Sequence, residues 1–160
     1  MGYPKPLLRL NGETFLAHIA TTMLTAVGRL IIVLGAYRDS VRVAIPAQGR
    51  IATVENPNYQ LGQLSSIKEG LRAISTEAEA VIVHLVDHPT VMPQTFRRLI
   101  TEYETSGKPI VVARTLGHSG HPVLFDRSIF NELGQAPLEL GARAVVRARR
   151  VSEGATLHPR

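Results

Sequence analysis

The strongest constraint on how this chain folds is one short apolar run, Val81-Ile82-Val83-His84-Leu85-Val86, closed abruptly by Asp87-His88-Pro89. Six mostly apolar residues are too few for a buried helix and lack the alternation of a half-exposed strand, so residues 81–86 read as a strand covered on both faces. Leu30-Ile31-Ile32-Val33-Leu34, stopped by Gly35, is a second run of the same kind. A strand buried on both sides needs helices above and below it, and the remaining pattern supplies them.

Phe15, Ile19, Met23 and Val27 recur every four residues and predict a helix ended by Gly28. A short helix is expected at residues 38–45, before Pro46. Ile51-Ala52-Thr53-Val54 reads as a strand and residues 55–59 as the loop after it. Leu64, Ile67, Leu71 and Ile74 then line one side of a helix whose first turn holds Ser65 and Ser66, with Glu69 at a capping-box distance from Ser66. Another amphipathic helix starts near Pro93, with Phe96, Leu99, Ile100 and Tyr103 on its apolar side. Residues 109–113 and 122–125 read as strands around a turn-rich segment at 116–121. Helices at residues 127–133 and 141–150 complete the pattern. Strands alternating with helices predict an α/β fold of three layers, Rossmann-like, with a mostly parallel sheet and helices on both faces.

The 160-residue length suits one domain, expected at residues 1–150, with a poorly ordered tail at 151–160. No cysteine is present, which removes disulfides, thiolate zinc sites and cysteine nucleophiles. The longest apolar stretch is far short of the roughly 20 residues of a membrane helix, and the first residues lack the layout of a signal peptide, so a cytoplasmic protein is expected, with no membrane partner. Five arginines against Glu153 alone give residues 141–160 four of the five net positive charges. Basicity confined to one end, without aromatic residues among the arginines, reads as a solvated helix end, and no nucleic-acid partner is expected.

Ligands of such sheets bind beyond the carboxyl ends of the strands. Asp87 stands there, where its carboxylate either holds Mg²⁺ against phosphate oxygens or caps the turn before Pro89. Lys5, between Pro4 and Pro6, is either an ammonium aimed by a stiff backbone at a triphosphate or an exposed lysine near a chain end. Gly62-Gln63-Leu64-Ser65-Ser66 opens a helix where free N–H groups and hydroxyls suit a phosphate, and capping explains the serines equally well. Gly120-His121-Pro122 places a bend at the rim of the crevice or a plain strand entry. The loop histidines His88, His118 and His121 show no zinc spacing, and His84 reads as a satisfied core residue. No G-x-S-x-G elbow supports a serine hydrolase.

Taken together, Met1-Gly2-Tyr3-Pro4-Lys5-Pro6-Leu7-Leu8, Asn56-Pro57 with Gly62-Gln63-Leu64-Ser65-Ser66-Ile67, Val86-Asp87-His88-Pro89, Gly120-His121-Pro122-Val123-Leu124-Phe125 and Gly141-Ala142-Arg143 resemble the MobA-like nucleotidyltransferases, above all the molybdenum cofactor cytidylyltransferase branch. The resemblance implies Mg²⁺-dependent transfer of a nucleoside monophosphate from CTP or GTP to a molybdopterin-type cofactor, with a molybdoenzyme or its chaperone as a protein partner. It also implies roles: Lys5 and Asp87 catalytic, Asp87 the metal ligand, and Lys5, Asn56, Gly62, Ser65, Ser66, His88, Pro89, Gly120, His121 and Pro122 around the nucleotide and acceptor. Members of that family carry a strand and an L-A-A-G-x-S-x-R turn ahead of the pair that stands here as Met1-Gly2, and a D-I-D-T-P-like acidic segment near the C-terminus. This chain has neither. The fold is therefore expected with its first strand missing, and a catalytically incomplete nucleotide- or cofactor-binding module is the alternative to an enzyme.

Overall fold

The computed structural model describes residues 3–115, 118–149 and 156–157. Before Phe15, a 3₁₀ turn at Lys5–Leu7 leads into a small hairpin of β1 (Arg9–Leu10) and β2 (Glu13–Thr14). Its corner residues Asn11 and Gly12 have φ of 52° and 88°, the positive values a two-residue hairpin turn requires. Thr14 then caps α1 (Phe15–Leu24), its Oγ1 accepting from the Ala17 N–H at 3.2 Å. The apolar stripe of α1 buries Leu16, Ile19, Ala20 and Met23.

The chain continues through β3 (Leu30–Leu34), α2 (Arg38–Val43), β4 (Ile51–Glu55), α3 (Gln63–Arg72) and β5 (Ala80–Val83). It then forms α4 (Pro93–Ser106), β6 (Ile110–Thr115), β7 (His118–Asp126), α5 (Phe130–Gln135), α6 (Gly141–Ala148) and β8 (Thr156–Leu157). Alternate residues of β6 and β7 feed two cores. Ile110, Val112, Val123 and Phe125 pack with α3, α5 and α6, while Val111, Ala113 and Leu124 pack on Leu99 of α4. The period of two along a strand thus puts helices on both faces of one sheet.

The pairing is mixed where a mostly parallel sheet is expected. β3 and β4 are parallel, as are β6 and β8, but β7 runs antiparallel to both β5 and β6. The reason is local: only two residues separate β6 from β7, and a connection that short returns a strand antiparallel to the one before it. Among the described residues, β3–β4 and β5–β7–β6–β8 are separate sheets, with no ladder joining β3 to β5.

Two local expectations are corrected. The strand expected at 81–86 ends at Val83, because beyond the pair Val83↔Val123 the β7 strand bulges at His121-Pro122, and the Val83 carbonyl faces His121 Nδ1 at 3.3 Å in place of a backbone N–H. The capping box between Ser66 and Glu69 is absent: Gly62 is the N-cap of α3, with φ 95°, and Glu69 pairs with Arg72 instead. The expected poorly ordered tail at 151–160 lies outside the described residues apart from 156–157, as do Met1 and Gly2 and the Leu116-Gly117 part of the expected turn.

Candidate active site

The 3₁₀ turn after Pro4 sets Lys5 beside the loop that follows β5, and its Nζ donates to Asp87 Oδ2 at 3.2 Å. Both side chains are open to solvent, 65% and 40% exposed, so the pair is free to exchange partners with an arriving ligand. Burial pushes the Asp87 carboxyl up, but the hydrogen bond and charge of Lys5, with His88 next to it, outweigh burial and hold it below its ordinary value. The carboxylate is therefore ionised at neutral pH. His88 Nε2 stands 3.7 Å from Asp87 Oδ1, and Pro89 behind it is buried.

His121 reaches the same region from β7. The register between β6 and β7 shifts after Val112↔Val123 to Ala113↔Gly120, leaving His121 and Pro122 in a bulge that re-aims the imidazole. Its Nδ1 lies 3.3 Å from the Val83 carbonyl and its Nε2 lies 3.1 Å from Gln63 Nε2. The carbonyl only accepts and the amide nitrogen only donates, so Nδ1 carries the proton and Nε2 accepts. Burial lowers the His121 pKa, in keeping with this neutral form. The His121 ring meets His88 edge-on at 6.4 Å between centroids. Gly120, beside it, is exposed, and a Cβ there would meet open space.

A second group organises the loop before α3. Asn56 is buried, its Nδ2 donating to Ser65 Oγ at 2.8 Å and Ser66 Oγ at 3.0 Å, while its Oδ1 accepts from the Asn58 N–H at 2.9 Å. Ser65 in turn donates toward the Gly62 carbonyl at 2.7 Å. Asn56 and Ser65 thus spend their hydrogen bonds inside the protein, tying the end of β4 to the first turn of α3. Ser66 keeps its own proton for another acceptor. Gln63 joins this group to the first through His121, a contact across 58 residues that no local sequence signal reveals. Gly35 also matters here, because a Cβ on it would stand 2.7 Å from Tyr59 Cβ in that loop.

His84 departs from the satisfied core residue expected of it. Its Nε2 donates to the His88 carbonyl at 3.0 Å, which leaves the buried Nδ1 as an acceptor without a partner. Burial lowers its pKa to about 4. Among the described residues no three His, Cys, Asp or Glu side chains form a metal cluster. A divalent cation at Asp87 would then complete its shell with substrate phosphates and water, which is how magnesium is commonly held.

Residues 1–154 match the MobA-like NTP transferase domain, nearly the whole chain. The chain belongs to that family. It is a nucleotidyltransferase-family enzyme by that membership, with a mixed α/β fold. The chain is similar to the molybdenum cofactor cytidylyltransferase of Escherichia coli (strain K12), 26% identical over 137 residues, which cover 86% of this chain and 69% of that one. It is similar in structure to Rv0371c from Mycobacterium tuberculosis H37Rv, with a TM-score of 0.81 and 28% identity over 98% of this chain and 80% of that one. A second crystal structure of Rv0371c, in complex with manganese, matches with a TM-score of 0.78 and 29% identity, over 98% and 82% of the two chains. The 4-diphosphocytidyl-2C-methyl-D-erythritol synthase of Anaerococcus prevotii DSM 20548 shares the fold at 15% identity, with a TM-score of 0.74 over 97% and 81% of the chains. No described helix of this MobA-like chain is long and apolar enough to cross a membrane.

Proposed function

We propose that this MobA-like protein, placed in the cytoplasm, transfers a nucleoside monophosphate from CTP or GTP to a molybdopterin-type cofactor, with Mg²⁺ at Asp87. The observation that carries the reading is the Lys5–Asp87 pair, an exposed ammonium and an ionised carboxylate 3.2 Å apart beyond β5. In the transfer, an oxygen of the acceptor phosphate attacks the α-phosphorus, the new P–O bond forms, the α–β bond breaks and pyrophosphate leaves. During this step the Lys5 ammonium, turned from Asp87 to the triphosphate, offsets the charge on the departing pyrophosphate. The cation, when bound, neutralises phosphate charge.

Around this pair, the N-terminal turn of α3 from Gly62 to Ser66, with the Ser66 hydroxyl, borders the nucleotide, and Asn56 and Ser65 hold that turn in place. His88, Pro89, Gly120, His121 and Pro122 form the acceptor side, where His121 Nε2 is an acceptor for a substrate hydroxyl once Gln63 moves away. Support for the molybdopterin acceptor comes from the similarity to the E. coli cytidylyltransferase, and support for a divalent cation from the manganese complex of Rv0371c. A molybdoenzyme or its chaperone would receive the product.

The test is to mix the purified protein with CTP or GTP, Mg²⁺ and molybdopterin cofactor and to follow pyrophosphate. We expect release with one of the two nucleotides, and a fall of about a hundredfold or more in Asp87→Asn, where the charge is removed and the shape kept. An Asp87→Asn protein as active as the parent would overturn the assignment. Nucleotide or cofactor binding by calorimetry with no pyrophosphate release would establish the catalytically incomplete binding module instead.

A further inference from the structure

One side chain joins the turn assigned to the nucleotide with the side assigned to the acceptor. Gln63 is the first residue of α3, and its Nε2 donates to His121 Nε2 at 3.1 Å. Both ends of this bridge are held. Asn56 fastens the α3 turn through Ser65 at 2.8 Å, and Ser65 donates to the Gly62 carbonyl at 2.7 Å. His121 is anchored by its Nδ1, 3.3 Å from the Val83 carbonyl. What can move is the Gln63 side chain, which is exposed, turns about three single bonds and has no second partner among the described residues.

The bond matters because of what an imidazole nitrogen can do. With the proton on Nδ1, Nε2 has a single lone pair in the ring plane and accepts one hydrogen bond at a time. Gln63 and a donor group of the acceptor therefore exclude each other at that atom. His121 does not escape by taking up a second proton, because burial, with the charges of His88 and Arg143, outweighs the Val83 carbonyl and Asp87. Gln63, by contrast, has somewhere else to go. The N–H groups of the first turn of α3 lack intrahelical acceptors and favour an anion beside them. A phosphate oxygen at that turn is a stronger acceptor for the Gln63 amide than a neutral ring nitrogen, since hydrogen bonds to an ionised group are roughly twice as strong.

We propose that Gln63 is a positioning residue that couples the two substrates: in the empty protein its amide blocks His121 Nε2, and an arriving nucleotide draws it away and opens that atom to the acceptor. The inference rests on the nucleotidyltransferase reading of the site. It makes the nucleotide the favoured first substrate, so that the acceptor binds best when a nucleoside monophosphate is there to be received. One neutral hydrogen bond corresponds to roughly three- to tenfold in an equilibrium constant, and the nucleotide should tighten acceptor binding by about that factor. By linkage the acceptor tightens nucleotide binding equally.

The test is calorimetry on the whole chain with Mg²⁺, using molybdopterin cofactor as the acceptor and the α,β-methylene analogue of CTP or GTP, in which carbon replaces the bridging oxygen and blocks transfer. In the parent, acceptor affinity should rise about three- to tenfold when the analogue is present. In Gln63→Ala the acceptor should bind the empty protein as tightly as it binds the analogue-loaded parent, and the analogue should add nothing further. A readout that a merely structural role would not move is the ¹⁵N resonance of His121 Nε2, which should shift on adding the analogue to the parent and start from the shifted position in Gln63→Ala. Equal acceptor affinity with and without the analogue in the parent, or undiminished coupling in Gln63→Ala, would overturn the proposal while binding of the analogue leaves the nucleotide reading standing. If the analogue does not bind the parent at all, the reading itself falls and takes the coupling with it.

Discussion

The two sheets of this molecule are built from similar residues and end in different states. β6 and β7 carry Ile110, Val111, Leu124 and Phe125 at 2% exposure or less, sealed by α4 on one face and α3, α5 and α6 on the other. β3, with the sequence Leu30-Ile31-Ile32-Val33-Leu34, is as apolar, yet only Leu34 is fully buried. Apolar character is therefore not what separates them. Among the described residues β7 has a strand on each side and β3 has one, so the same side chains reach full burial where neighbouring strands exclude water from the edges. The candidate active site lies on the less sealed side, at the loops after β4 and β5, where the backbone keeps groups to offer a ligand.

The largest expected effect tests that contrast directly. Leu99→Ala, at 0% exposure in the α4 core, should cost about 3–5 kcal/mol, whereas Ile32→Ala on half-buried β3 should cost about 1–2 kcal/mol, as read from urea unfolding. Equal losses would mean that β3 is as tightly packed as β6.

Next in size is the pH dependence set by His84, which sits at the border between the two regions. Its pKa in the fold is about 4 against 6.5 unfolded, so the unfolded chain binds the proton first. Its contribution is present above pH 6.5 and is lost as pH falls from there toward 4, by roughly 3 kcal/mol in all. His121, lowered in the same direction, adds to the slope. Unfolding measured between pH 7.5 and pH 4.5 should flatten in His84→Gln, which keeps a donor for the His88 carbonyl but does not titrate.

Gly35→Ala should destabilise by about 1–3 kcal/mol, since its Cβ would stand 2.7 Å from the Cβ of Tyr59, an atom that moves only with the backbone. The loss should be accompanied by weaker nucleotide binding, because the displaced loop carries Asn56 and leads into Gly62. Unchanged binding beside lowered stability would separate the loop from the site.

The smallest effect on stability should be that of Lys5→Ala. The pair with Asp87 is exposed on both sides, and such pairs contribute at most about 1 kcal/mol, so thermal unfolding should scarcely move while pyrophosphate release falls. A large drop in stability would make the pair structural and its assignment to substrate unnecessary.

Much of the chain was legible before any coordinates. The Leu30–Leu34 strand, the start of α4 at Pro93 and the start of α6 at Gly141 are where periodicity and punctuation put them. Less legible were features that depend on a partner strand. The end of β5 at Val83 is set by the bulge at His121-Pro122 across the ladder, and residues 84–86 look no different from strand in the sequence. The β1–β2 hairpin escaped because two-residue strands have no period to detect, although Asn11-Gly12 is a turn pair.

The sequence by itself determined the family, the alternation of elements and the identity of the chemical groups, because motifs and periods are local properties of the chain. Lys5, Asp87, His88 and His121 could all be named from it. Only the tertiary structure decided that Lys5 meets Asp87 across 82 residues, that Asn56 and Ser65 are turned inward to hold a loop, and that His121 has a fixed tautomer through Val83 and Gln63. Only the structure revealed that β3 and β5 line opposite sides of one cavity. Hydrogen bonds and edges are pairwise properties of segments far apart in sequence, and nothing within either segment specifies the other.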